Sequence, residues 1–241
     1  MAVEVKKIGG SVLKSQQDFK AVADYLAQAY KKSNKLIVVV SAPYGETNSL
    51  MLQAQEYSAT QGEAYELLLQ TGEQKSCALL GLSLQELNIP FTIFCGPTVH
   101  LQKQSEDKFS ISQEIYSEAL EKGIVIVGGF HVLDACNHLI NLGRGGSDFT
   151  AILLADFFTA SSCELIKDVP GIYNTFEDFS LSHERFEQIN FKDLLKLIDS
   201  GARIVQKAAV LWAMKKHIPF SVQDIHGNGT RVGDFITKIR I

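Results

Sequence analysis

Cysteine is scarce in this chain of 241 residues: Cys77, Cys95, Cys136 and Cys163 lie far apart and form no C-x-x-C pair. Such spacing offers neither a structural zinc site nor a disulfide framework, and it reads as buried thiols in a reducing cytosol. Long apolar runs are missing too. No stretch approaches the ~18 apolar residues of a membrane span, and the opening MAVEVKKIGG has no signal-peptide core. An excess of one charge is also lacking, since 23 Lys+Arg against 27 Asp+Glu leave a formal net charge of -4. Lys6-Lys7, Lys31-Lys32 and Lys215-Lys216 are isolated pairs that suit solvated helix ends. Neither a nucleic acid nor an anionic membrane is therefore an expected partner, and the expected compartment is the cytoplasm.

Familiar catalytic motifs are absent as well. No G-x-x-x-x-G-K-[ST] occurs, which excludes a P-loop enzyme. Gly227, Gly229 and Gly233 imitate a dinucleotide fingerprint, but the spacing is wrong and a strand pattern follows instead of a helix. There is no H-E-x-x-H, and the six histidines show no ligand spacing, so no protein-held metal is expected. No repeat, low-complexity segment or Pro/Gly/Ser-rich linker divides the chain. One domain is expected over 1–241, with a substrate lobe over about 1–150 and a nucleotide lobe over about 151–241.

What is present is apolar material, 46% of the residues, arranged in alternation. Residues 2–8 read as a strand. Ser15, with Asp18 three residues on, reads as a helix cap, and Phe19, Val22, Ala23, Leu26 and Tyr30 follow at helical spacing. LIVVVSA (36–42) and IVIVGGF (124–130) read as strands buried on both faces. FTIFC (91–95), CELIKD (163–168) and IPFSV (218–222) read as further strands, and 230–240 as a last edge strand. Helical patterns cover about 48–60, 74–88, 111–122, 148–158, 191–199 and 203–216. The expected fold is α/β, a three-layer α/β/α sandwich on a mostly parallel central sheet. Ligands then sit at the carboxyl ends of strands, which singles out the loops after Ile8, Ala42, Phe130 and Asp168.

In the first of these, Gly9 and Gly10 beside Lys7 form either a phosphate-approaching loop or a tight turn with an unrelated lysine. In the second, Ser41 to Asn48 is either a ligand loop or a plain connection with Thr47 as a helix cap. The densest is Gly143-Arg144-Gly145-Gly146-Ser147-Asp148. It aims an arginine fork, backbone donors and a helix start at one anion, or else Ser147 or Asp148 is only a cap.

Taken together and in order, these segments resemble the amino acid kinase family, and within it aspartokinase catalytic domains. KIGGSV (7–12) resembles the opening K-x-G-G-[ST] loop, and VVVSAPYGETN (38–48) the strand and loop that follow. Thr71-Gly72-Glu73 with Ser76 is similar to G-E-x-x-S, and GRGGSDFTA (143–151) to G-R-G-G-S-D-x-T-A. LIKDVPGIY (165–173) resembles the nucleotide loop T-D-V-D-G-V-Y; GARIVQKAA (201–209), IPFSV and Gly229-Thr230 resemble the closing segments.

The resemblance implies ATP-dependent phosphorylation of the side-chain carboxylate of L-aspartate, in amino acid biosynthesis. Lys7 would stabilise the moving phosphoryl group, with Gly9, Gly10 and Ser11 cradling it and Asp148 orienting Lys7. Arg144 would hold the acceptor's α-carboxylate, Glu73 its ammonium group, and Thr47 and Ser147 would add hydrogen bonds. Asp168 and Tyr173 would face the nucleotide. The chemistry agrees: a carboxylate of pKa near ~4 is already a nucleophile at neutral pH, so charge neutralisation and alignment are what is needed. Mg²⁺ would ride on the phosphates and waters. A homo-oligomer, a dimer among the options, is expected.

This chain departs from the family in its nucleotide half. Lys167 stands where a threonine is usual, and is either a phosphate contact or a surface lysine. Arg203 replaces the usual lysine of the closing helix, Gln206-Lys207 replaces H-P, and residues 174–178 lack the D-P-R. Two alternatives therefore stay open: a kinase of this fold acting on another small acid or phosphate acceptor, and a catalytically silent ligand-binding subunit. With eleven residues after Thr230, the expectation is a catalytic domain lacking the family's C-terminal regulatory (ACT) domains, and insensitive by itself to lysine, threonine and methionine.

Overall fold

The computed structural model describes residues 2–33, 35–58, 60–174 and 184–240. The N-terminal half contains β1 (Glu4–Ile8), α1 (Gln16–Ser33), β2 (Leu36–Val40), α2 (Glu46–Tyr57), α3 (Glu63–Glu86) and β3 (Phe91–Phe94). Next come β4 (Leu101–Ser105), β5 (Lys108–Ile111), α4 (Gln113–Lys122), β6 (Ile124–Gly128), β7 (His131–Leu133) and β8 (Leu139–Asn141). The remainder is α5 (Gly146–Phe157), β9 (Ser162–Ile166), β10 (Phe186–Asn190), α6 (Phe191–Asp199), α7 (Lys207–Lys216), β11 (Phe220–Gln223), β12 (Gly229–Gly233) and β13 (Lys238–Ile239).

Nine strands form one sheet in the order β13-β10-β12-β11-β9-β1-β2-β6-β3. The run from β11 through β9, β1, β2 and β6 to β3 is parallel throughout. Antiparallel pairing appears only toward the other edge, at β11–β12 and β10–β13. Every residue of β2 and β6 is buried, as expected of strands covered on both faces. Their side chains alternate between two cores. Ile37, Val39, Val125 and Val127 join α4, α5, α6 and α7 on one face. Leu36, Val38, Val40, Ile124 and Ile126 join α1 and α3 on the other. The expected three-layer sandwich is the observed one.

Local chemistry accounts for several boundaries. The Asp18 carboxylate accepts the Ser15 backbone N–H at 2.8 Å and the Ser15 hydroxyl accepts the Asp18 N–H at 3.3 Å, a reciprocal cap at the start of α1. Other expectations need correction. Thr47 lies inside the first turn of α2, whose cap is Gly45 at φ 79°; only glycine takes that conformation without strain. Likewise Gly145, at φ 82°, caps α5, and neither Ser147 nor Asp148 does. The expected strand over 230–240 is two strands, and its first part, β12, lies between β10 and β11 instead of at the edge. The last long helix starts at Lys207, not 203. A separate four-stranded sheet, β5-β4-β7-β8, was not expected at all. Of the cysteines, Cys77 and Cys163 are buried, but Cys95 is only partly buried and Cys136 is exposed.

Candidate active site

In the parallel sheet β1 lies between β2 and β9. The chain leaves β1 toward β2 on one side and returns later to β9 on the other, which opens a crevice at their carboxyl ends. Lys7, near the end of β1, is buried with 5% exposure and reaches the first turn of α5. There its Nζ lies 2.7 Å from Asp148 Oδ1, while Lys167 Nζ, just past β9, lies 3.2 Å from Asp148 Oδ2. Burial works against the Asp148 carboxylate, but the two ammonium groups, Lys167 ahead of Lys7, outweigh it and hold its pKa at about 2. Burial pushes the Lys7 pKa down, against the pull of Asp148. Two cations share one anion, so the group carries a net positive charge and suits an anionic ligand.

The glycine loop lies beside it. The Gly9 N–H donates to Ile166 O at 2.9 Å, so Gly9 ties β1 to β9 and has no donor left over. Gly10 opens a short 3₁₀ turn, Gly10–Val12, whose first N–H groups have no partner within the turn. A Cβ on Gly10 would stand 2.5 Å from Ala42 O, so no larger residue fits.

An adjoining cavity of about 510 Å³ is lined by Ser11, Ala42, Thr47, Glu73, Arg144 and Ser147, among others. Glu73 is 3% exposed. Its Oε1 accepts the Ala42 N–H at 3.1 Å, and its Oε2 is buried without a partner. Burial pushes its pKa up to about 8. An ammonium group is the partner that would restore this carboxylate. Arg144 is exposed at the cavity wall between Gly143 and Gly145, both with φ 82°. Its guanidinium forms no ion pair with a described residue, and offers a fork for a carboxylate. The arrangement suits a zwitterion at one end and a transferable phosphoryl group at the other.

The structure thus brings together Lys7, Gly9, Gly10, Ser11, Asp148 and Lys167, with Thr47, Glu73, Arg144 and Ser147 in the neighbouring cavity. Asp168 follows Lys167 and lies 3.6 Å from Lys14 at the surface. Tyr173 and Arg203 stand outside this group: Tyr173 pairs with Arg185 in an isolated bridge, and Arg203 is exposed in the turn before α7. Residues 175–178 lie outside the described residues. Thr230 is fully buried and structural, its hydroxyl taking the Ile172 N–H at 2.9 Å and donating to Phe186 O at 2.6 Å.

The sequence did not single out Asn141, and it marked Gln206 only as a departure from the family. Gln206 Nε2 donates to Leu142 O at 2.7 Å beneath the arginine loop, and Asn141 Oδ1 accepts the Gly143 N–H at 2.9 Å. For Asn141 the available signal was a polar side chain two residues before the glycine-rich loop; Gln206, 64 residues from Leu142, carried none. Other ligand-holding options are weaker. Asp134, Cys136 and His138 bring their ligand atoms within 4.8 Å at the β7–β8 turn, but Asp134 Oδ1 is engaged by the backbone N–H groups of Cys136 and His138. A larger cavity, about 790 Å³, lies between α1 and α3. Its Lys20 and Lys75 are paired with Glu86 and Glu46.

Comparison with known proteins agrees with this geometry. A family model described as the amino acid kinase family matches residues 3–224. An aspartate kinase of Pseudomonas fluorescens is 31% identical over 245 residues, covering 98% of this chain and 59% of its own length. The crystal structure of aspartate kinase from Synechocystis superposes with a TM-score of 0.86 at 32% identity, over 100% of this chain and 42% of that one. E. coli aspartokinase III, solved with aspartate and ADP, gives a TM-score of 0.78 at 22% identity, over 97% of this chain and 65% of that one. That last likeness concerns the fold alone. The chain spans about three fifths of the length of the curated relatives it matches.

Proposed function

Because the chain belongs to the amino acid kinase family, we propose that it transfers the terminal phosphoryl group of ATP to the side-chain carboxylate of L-aspartate. The observation that carries the reading is the buried, half-satisfied Glu73 carboxylate, which shares one cavity with Arg144, next to the Lys7–Asp148–Lys167 group. Glu73 would take the acceptor's ammonium group and Arg144 its α-carboxylate, with Thr47 and Ser147 adding hydrogen bonds. The side-chain carboxylate then points at the lysines. One of its oxygens forms the new O–P bond, the bond from the γ-phosphorus to the β,γ-bridging oxygen breaks, and ADP leaves with that electron pair. No base is needed, because the nucleophile is already ionised.

The charge that spreads over the phosphoryl oxygens in flight calls for fixed cations. Lys7 and Lys167 meet that need. Asp148 holds both and keeps them apart. The first N–H groups of the Gly10 turn and Ser11 add donors. Asp168, Tyr173 and Arg203 belong to the nucleotide side of the proposal. The functional halves would be about 1–150 for the acceptor and about 151–241 for the nucleotide. Mg²⁺ supplies further neutralisation of the phosphates when bound. Both Asp148 oxygens face ammonium groups, so a hydrated ion carried in on the nucleotide fits better than one held by Asp148.

A phosphate-bearing acceptor fits this cavity less well, since Glu73 would repel it once ionised. A silent subunit has no use for a buried group of two cations on one anion. A homo-oligomer remains part of the proposal. The test is ADP release with Mg-ATP against a panel of amino acids and phosphorylated acceptors. ADP release that requires L-aspartate supports the reading, and release that requires a phosphorylated acceptor overturns it.

A further inference from the structure

We infer that Glu66, Asn141 and the turn at Gly143 form a strut that fixes the Arg144 loop relative to Glu73, and so sets the spacing at which the cavity holds the ammonium and carboxylate groups of an α-amino acid. The inference rests on the amino-acid acceptor proposed above. Glu66 and Glu73 are seven residues apart in α3, nearly two full turns and therefore on one face, about 10 Å apart along the axis. Glu73 faces the ammonium end. Glu66 faces the other end through a relay: its Oε1 accepts from Asn141 Nδ2 at 2.7 Å, and Asn141 Oδ1 accepts the Gly143 N–H at 2.9 Å. Arg144 is the next residue.

The relay is held from both sides. Glu66 Oε2 faces His131 Nε2 at 3.1 Å, so both carboxylate oxygens are engaged and the side chain has one orientation. His131 is 1% exposed, and burial pushes its pKa down to about 4, so the ring is neutral and Nε2 carries the proton given to Glu66. Gly143 and Gly145 both have φ 82°. A loop of such residues has many accessible conformations, and an outside tether is what leaves it one. The same rigid helix thus carries the ammonium anchor and fixes the arginine loop.

The experiment is calorimetric binding of L-aspartate and, separately, of Mg-ATP to the wild-type chain and to Glu66→Ala, Asn141→Ala, Glu66→Gln and the double alanine variant. Each alanine variant should weaken aspartate binding ~10-fold or more, while Mg-ATP affinity stays within ~2-fold, because misplacing a binding group by an ångström is that costly. Glu66→Gln should keep near wild-type affinity, since an amide can serve Asn141 and the other His131 tautomer. The double variant should be no worse than the poorer single one, as for two links of one chain. Wild-type aspartate affinity in both single alanine variants overturns the strut. So does an equal loss of Mg-ATP affinity, additive losses in the double variant, or a Glu66→Gln variant as impaired as Glu66→Ala. Wild-type binding of aspartate without ADP release would sink the catalytic proposal and leave the strut standing on these affinities. No aspartate binding by the wild type would overturn both.

Discussion

Burial lifts Glu73 to about 8, so at neutral pH most copies are protonated until an ammonium group arrives beside it. The raised value favours the folded state below the unfolded carboxylate range, near ~4.3, and that contribution is lost as pH rises through about 8. Two results follow. Aspartate binding at pH 7 should release close to one proton per site, and its Kd should fall ~10-fold per pH unit up to about 8 and then level off. Titrations in buffers of different ionisation enthalpy read both. Glu73→Gln should abolish aspartate binding yet raise Tm at pH 8–9, the usual trade of stability against function; an unchanged or lowered Tm there contradicts the burial argument. Lys7 and Arg144 should separate in kinetics. Lys7→Ala should lower kcat by ~10²-fold or more with little change in aspartate KM, because its charge acts on the moving phosphoryl group. Arg144→Ala should mainly raise aspartate KM. At this scale residue types at strand ends singled out Lys7 and the glycine-flanked Arg144 and left Asp148 open as a helix cap, and the family resemblance supplied the expected roles; the structure pairs Lys7 with Asp148. The role of Lys167 was not, because its partner Asp148 is 19 residues away and only the register of β1 beside β9 brings both lysines to one carboxylate.

The helix α3 shows why elements are harder to read than loops. It runs from Glu63 to Glu86, and its buried face includes Gln70, Gly72, Glu73 and Ser76. Those polar and small residues erase the apolar periodicity over its first half, so only residues 74–88 read as helix, and Glu73 fell just outside that pattern. Gly72 is there for packing: a Cβ would stand 2.8 Å from the Ala42 Cβ and 3.3 Å from Leu50. Gly72→Ala should therefore destabilise by about 1–3 kcal/mol. Because Ala42 donates to Glu73, it should also weaken aspartate binding more than Mg-ATP binding. Chemical denaturation and calorimetry check the two effects, and a stabilised variant would refute the close approach. The small sheet was illegible for a different reason. Its strands, such as LQKQS and LIN, are three to five residues long and partly polar, and their pairing is set by the hairpins and by burial against α5.

At the scale of the whole molecule the alternation of buried strands with helices was enough to read a parallel three-layer sandwich, because β2 and β6 must be covered on both faces. The order of the strands was not readable, since β9, far along the chain, inserts beside β1. That insertion makes the candidate site, because it places Lys167 next to Lys7 on Asp148. It also runs one hydrophobic core through both expected lobes, from Val5 and Ile37 to Leu165 and Val222. In the proposed reaction these halves meet to phosphorylate an amino-acid side-chain carboxylate. The most direct measurement is incubation with Mg-ATP, L-aspartate and hydroxylamine, followed by mass spectrometry of the trapped product. Aspartyl β-hydroxamate should form in amounts matching the ADP released, and Lys7→Ala should cut both rates by ~10²-fold or more. ADP formation with no hydroxamate, or hydroxamate at the α-carboxylate, would contradict the proposed reaction.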